Sequence, residues 1–306
     1  MSSVLDRIHH PALVRVRRPD GAVRLALWRD GTLHELQRVS LDQLCGRPLD
    51  AIQDFLDGAG RVQSRLDTGS IVVLPPVESQ EVWASGVTYQ RSREARREES
   101  STQDVYSRVY EAERPELFFK AAGWRVAGHL GELGIRSDST WDVPEPELAL
   151  LTNYRGEVLA YAIGNDMSSR SIEGENPLYL PQAKVYDKSC ALGPVAVLAW
   201  HVDMSQAVIR MSIRRGGEEV FSGETSTGEM VRDPAAVARV LHSCYSLPCG
   251  AWLLTGTGVV PPQPYSAKPG DVVRVEIEGI GELENRLVRI HSTGAKAPPD
   301  LNAARS

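Results

Sequence analysis

The chain has 306 residues, 42% of them hydrophobic and 24% charged, with a formal net charge of -6. That length holds one large domain or a large and a small one, and the composition is ordinary for a globular protein. The acidic balance speaks against a nucleic-acid footprint. No apolar run reaches the length of a membrane span, and the N-terminus lacks the apolar core of a signal peptide, so a cytoplasmic protein without nucleic-acid or membrane partners is expected.

In chain order, residues 11 to 37 read as a short meander. Val14 and Val16 alternate with arginines, Asp20-Gly21 turns, Val23, Leu25 and Leu27 alternate again, and Asp30-Gly31 turns once more. Leu41, Leu44, Leu49, Ile52 and Phe55 recur at helical spacing and predict a helix over residues 41 to 56, ended by Asp57-Gly58-Ala59-Gly60. Ile71 to Pro76 reads as a linking strand closed by prolines, so residues 1–76 are expected to form a small N-terminal α/β domain. Val82 to Val87 is a candidate buried strand, and it runs into a charged helix from Arg91 to Glu99. Further strands are expected near Val208–Ile213, Val272–Ile277 and Leu287–Ile290, with one helix near Pro234–Tyr245. The body over 77–293 is therefore α+β but mainly β, and residues 294–306 read as a flexible tail. Cys45, Cys190, Cys244 and Cys249 show no zinc spacing and are expected to be reduced thiols.

The segment Pro144-Glu145-Pro146-Glu147-Leu148 carries the most chemistry. Its two prolines oppose a helix, so it is extended, and Glu145 and Glu147 share one side. Leu148–Asn153 and Val158–Ile163 read as two strands joined by a turn at Tyr154-Arg155-Gly156-Glu157. Pairing Asn153 with Val158 sets Glu145 opposite Asp166, which puts three carboxylates on one face within reach of one ion; a slip by one residue breaks the set. Such acids can also form a solvated rim. Three unpaired carboxylates repel, however, and an all-oxygen donor set favours Mg2+, Mn2+ or Ca2+ over zinc.

A series of short motifs follows in order: Gly86 to Tyr89, Leu117-Phe118-Phe119-Lys120, Glu145 to Ala149, Gly164-Asn165-Asp166-Met167-Ser168-Ser169-Arg170, Lys184 with Gly193-Pro194, Thr255-Gly256-Thr257-Gly258, and Gly270-Asp271 with Gly279-Ile280-Gly281. Together they resemble the fumarylacetoacetate hydrolase superfamily over residues 80 to 292. The resemblance implies a mixed β-sandwich roll, magnesium on Glu145, Glu147 and Asp166, a small 2-oxo acid as substrate, and a homodimer or a homotetramer built as a dimer of dimers.

One departure from the superfamily pattern is informative. Hydrolytic members carry a His and a Glu on a lid helix, but the matching positions here are Ser92 and Ala95. Neither can serve as a base near neutral pH for water attack. A branch without that dyad, the 2-keto-3-deoxy-D-arabinonate dehydratases, is similar to this chain at Arg114 to Lys120 and at Ser171 to Pro177. It implies loss of water from a 2-oxo sugar acid to give 2,5-dioxopentanoate. The alternative is C–C hydrolysis of an acylpyruvate or a 2,4-diketo-3-deoxy sugar acid. For proton transfer the candidates are Glu116 and Lys184, and Lys184 has the alternative of staying charged and holding the substrate carboxylate. Substrate contacts are expected from Tyr89, Arg91, Phe118, Ser168, Ser169, Arg170 and Thr257; Arg170 can instead form a scaffold ion pair, and Thr257 can simply mark a tight turn.

Overall fold

The computed structural model describes residues 4–59, 65–89 and 108–290. The Arg91–Glu99 helix, Ser92, Ala95 and the tail lie outside the described residues.

Among the described residues two large sheets make the body, and a two-stranded pair joins Asp142–Val143 to Ser168–Ser169. In the larger, Ala12–Arg17, Val23–Arg29 and Thr32–Glu35 form the expected meander, and Ala12–Arg17 pairs antiparallel with Cys190–Leu198. The sheet continues through Val158–Asp166, Pro146–Thr152, Ala251–Leu254 and Glu81–Ala84 to an edge at Phe118–Ala122. The N-terminal strands and the body thus share one hydrogen-bonded surface, with Val72–Leu74 laid against Ala12–Arg17. The smaller sheet runs Glu218–Ser226, Val208–Arg215, Val272–Ile277, Gly281–Arg289 and Glu132–Ile135.

The core explains the layering. Leu148, Leu150, Ile163, Val195 and Val197 of the larger sheet meet Ile209, Met211, Val275 and Leu283 of the smaller one. On the opposite face Ala149, Leu151, Ala160, Ala162 and Trp252 meet Leu41, Leu44, Ile52 and Leu56 from the N-terminal helices. Pro146–Thr152 and Cys190–Leu198 are consequently buried at every residue. Strands covered on both faces carry continuous apolar runs rather than an alternating pattern. A fully buried Leu or Ile contributes roughly 1.5–3 kcal/mol.

Some expectations are corrected. The single helix over 41 to 56 is two helices, Leu41–Cys45 and Leu49–Ala59. Gly46-Arg47-Pro48 separates them, because Pro48 cannot donate into the preceding turn. Ser40 and Gln43 close a capping box on the first helix. The second passes through Gly58 instead of ending there. The strand from Val82 stops at Ala84; the chain then turns, with Val87 in the left-handed region at φ 54°. Among the described residues no helix is long and apolar enough to cross a membrane.

Candidate metal centre and active-site cleft

The hairpin of Pro146–Thr152 and Val158–Asp166 builds the centre. Pro146 faces Asn165, Glu147 faces Gly164 and Leu148 faces Ile163. The Asp166 amide donates to the Glu145 carbonyl at 2.9 Å, so the two acids end up side by side. The turn differs from the sequence expectation: Thr152, not Asn153, opposes Val158, and the Asn153 amide donates to the Glu157 carbonyl. A bulge at Leu159 then restores the register, since Leu151 faces Ala160.

Oxygens of Glu145, Glu147 and Asp166 all lie within 4.8 Å of one another, and all three residues are buried. That span is about twice a bond from oxygen to a hard divalent cation. The Glu147 carboxyl is pushed well up by burial and then by the charges of Asp166 and Glu145, against the pull of Lys184 and of the Gly256 amide. A cation among the three oxygens relieves that repulsion, so the donor set fits a hard metal ion.

Basic groups complete the cluster. Lys184, at the end of the short helix Leu180–Lys184, donates to Glu145 Oε2 and Asp166 Oδ2 at 2.8 Å each and to Ser168 Oγ. Arg170 donates through Nη2 to Glu145 Oε1 at 2.7 Å. Lys120 is completely buried; its ammonium pairs with Asp166 Oδ1 and donates to the carbonyls of Lys184 and, at 3.0 Å, Met167. The Gly256 amide donates to Glu147 Oε2 at 2.6 Å. Buried charges persist only when so paired and hydrogen-bonded.

A cleft opens on this cluster. Besides the three acids its wall includes Glu116, Phe118, Arg170, Glu173, Lys184 and Thr257. The Lys184 ammonium stands 5.8 Å from the Phe118 ring centroid.

Not every expected contact reaches the wall. Ser168 lies beneath Lys184. Ser169 caps the helix Arg170–Glu175 and donates to Ser139 Oγ at 2.8 Å, which turns its hydroxyl away. Tyr89 is buried behind Gly258, where an added Cβ would stand 2.8 Å from its ring. Arg91 lies outside the described residues. Sequence reasoning gave no role to Lys120 or Glu173. The signal for Lys120 was a lone lysine inside an apolar strand, Phe118-Phe119-Lys120-Ala121-Ala122.

Residues 82–288 match the family model of the fumarylacetoacetate (FAA) hydrolase C-terminal domain. The chain belongs to the fumarylacetoacetate hydrolase family. Within it, the chain is 49% identical over 281 residues to a probable 2-keto-3-deoxyxylonate dehydratase of Haloferax volcanii, covering 88% of this chain and 97% of that one. It is 39% identical over 218 residues to a 2-dehydro-3-deoxy-D-arabinonate dehydratase of Saccharolobus solfataricus, covering 70% and 73%. A solved 2-keto-3-deoxy-D-arabinonate dehydratase complexed with magnesium and 2,5-dioxopentanoate superposes with a TM-score of 0.80 at 31% identity, over 92% of this chain and 99% of that one. The superposition leaves almost none of that solved dehydratase unmatched.

Proposed function

We propose that this family member is a hydro-lyase that removes water from a 2-keto-3-deoxy-D-pentonate to give 2,5-dioxopentanoate, with Mg2+ held by Glu145, Glu147 and Asp166. The observation that carries the reading is the buried three-carboxylate cluster opening on a cleft that also presents Glu116 and Lys184. Its similarity to the two named dehydratases supports the substrate class. Oxidation at C2 and loss of oxygen at C3 leave a pentonate with one stereocentre, C4. Names built on xylonate and on arabinonate of the D series therefore describe the same compound.

When bound, the metal supplies Lewis-acid polarisation of the 2-oxo group, which acidifies the C3 hydrogens. Glu116 stands in the cleft wall as the base for a C3 proton. Lys184 keeps its ammonium beside Glu145 and Asp166, where it faces the negative charge that develops on the substrate. Arg170 fixes Glu145. Thr257 and Phe118 close the wall around the sugar-acid chain. The C4 hydroxyl takes a proton from an acid and leaves as water, which balances the C3 proton held by Glu116, and tautomerisation toward C5 gives the aldehyde. C–C hydrolysis has less support, because Ser92 and Ala95 stand where hydrolytic members carry the His and Glu that activate water.

The proposal extends to a homodimer or homotetramer in the cytoplasm and to a division into residues 1–76 and 77–293, which the start of the family match at residue 82 supports. Proton NMR of the chain with Mg2+ and 2-keto-3-deoxy-D-pentonate tests the activity. The aldehyde proton of 2,5-dioxopentanoate appears with the wild type and not with Glu145→Gln; absence of that signal with the wild type refutes it.

A further inference from the structure

Gly86 has no conformational reason to be glycine. Its φ lies outside the left-handed region, unlike that of Gly250 or Gly256. What it meets is a side chain. A Cβ on Gly86 would stand 2.0 Å from Glu116 Oε2 and 2.9 Å from its Cδ. Both residues line the cleft. The pairing of Glu81–Ala84 with Phe118–Ala122 accounts for this, since Trp83 faces Phe119 and Ala84 faces Phe118. Two residues beyond that last pair on each side, Gly86 and Glu116 meet at the cleft. Glycine in a strand-like segment often marks a close approach by another group. Here the approaching group is a carboxylate, lying over the bare backbone on its way into the cleft.

We infer that Gly86 is a positioning residue for Glu116: the missing side chain at 86 is what allows the Glu116 carboxylate to lie in the cleft. The inference deepens the dehydratase reading and rests on it for the chemistry, in which the Glu116 carboxylate takes the C3 proton and becomes a carboxylic acid. The backbone at 86 accepts alanine, and the atom met is the far end of a flexible side chain. Gly86→Ala therefore turns Glu116 aside without disturbing the sheet or the metal acids.

The test is a double-mutant cycle on the full chain with Gly86→Ala, Glu116→Ala and the double variant, read by turnover, Mn2+ binding and thermal melting. Gly86→Ala lowers kcat about 100-fold, with little change in KM or in Mn2+ affinity, and adds nothing to Glu116→Ala. It lowers the melting temperature while Glu116 is in place and does not lower it in the Glu116→Ala background, where the added methyl meets no carboxylate. A wild-type kcat in Gly86→Ala, or equal effects in both backgrounds on either readout, overturns the inference. A wild type without dehydratase turnover removes the dehydratase reading alone, because the melting cycle still decides whether residue 86 sets the place of Glu116.

Discussion

Glu145 and Asp166 are joined twice: the Asp166 amide donates to the Glu145 carbonyl at 2.9 Å, and the Lys184 ammonium bridges their carboxylates at 2.8 Å to each. The backbone bond sets the spacing of the acids. The lysine shares them with any divalent cation that binds there. Loss of a carboxylate and loss of the ammonium therefore have opposite consequences for the metal.

Glu145→Gln or Glu147→Gln removes a donor and part of the negative charge that balances the ion. Mn2+ affinity is expected to fall more than about 100-fold, with turnover lost alongside it. Because burial and its two neighbours favour the protonated form of Glu147, wild-type affinity rises with pH as the ion displaces that proton. Electron paramagnetic resonance of Mn2+ titrations checks both.

Lys184→Met leaves Glu145 and Asp166 without their shared ammonium. Turnover is expected to fall about 100- to 1000-fold, while Mn2+ binds at least as tightly as in the wild type because a competing cation is gone. Steady-state kinetics beside the same titration separates this from loss of the metal site. Weaker Mn2+ binding would mean that Lys184 organises the acids instead of competing for them.

Asp142 lies outside the metal set and is pushed up to about 6, first by burial, against the pull of Ser139, Arg289 and Arg136. Its folded value exceeds its unfolded one near 3.8, so the folded state holds the extra proton between them. The contribution is present in full below pH ~4, is lost as pH rises through about 6, and is constant above that. Denaturant melts of the wild type and Asp142→Asn are expected to diverge by about 2 kcal/mol more at pH 7 than at pH 4, with the variant gaining.

Gly250 combines φ 68° with contact to backbone: an added Cβ would stand 1.9 Å from the Thr152 carbonyl oxygen. Neither can relax cheaply, since Thr152 belongs to the metal hairpin. Gly250→Ala is expected to cost about 2–4 kcal/mol in denaturant unfolding, in contrast to the mild cost expected at Gly86.

The sequence made the carboxylate set legible because two prolines forced an extended segment, and period-two geometry then sorted the acids by face. The pairing Asn153 with Val158 was off by one, yet the acids still met, because the bulge at Leu159 cancelled the slip. Bulges leave no reliable trace in residue type. Lys120 escaped notice for a related reason: polarity patterning puts a lysine outside, whereas Phe119 is 37% exposed and Lys120 fully buried. Its place depends on Asp166 and on the carbonyls of Met167 and Lys184, all more than forty residues away. The break at Pro48 is legible from proline chemistry, although the apolar spacing runs on through it at helical period.

The most direct test of the dehydratase reading is mass spectrometry of the Mg2+-loaded chain incubated with 2-keto-3-deoxy-D-pentonate and, separately, with an acylpyruvate. Loss of one water from the sugar acid, abolished by EDTA and restored by Mg2+, with the acylpyruvate left intact, is the predicted result. Cleavage of the acylpyruvate into two fragments, with the sugar acid unchanged, would contradict it.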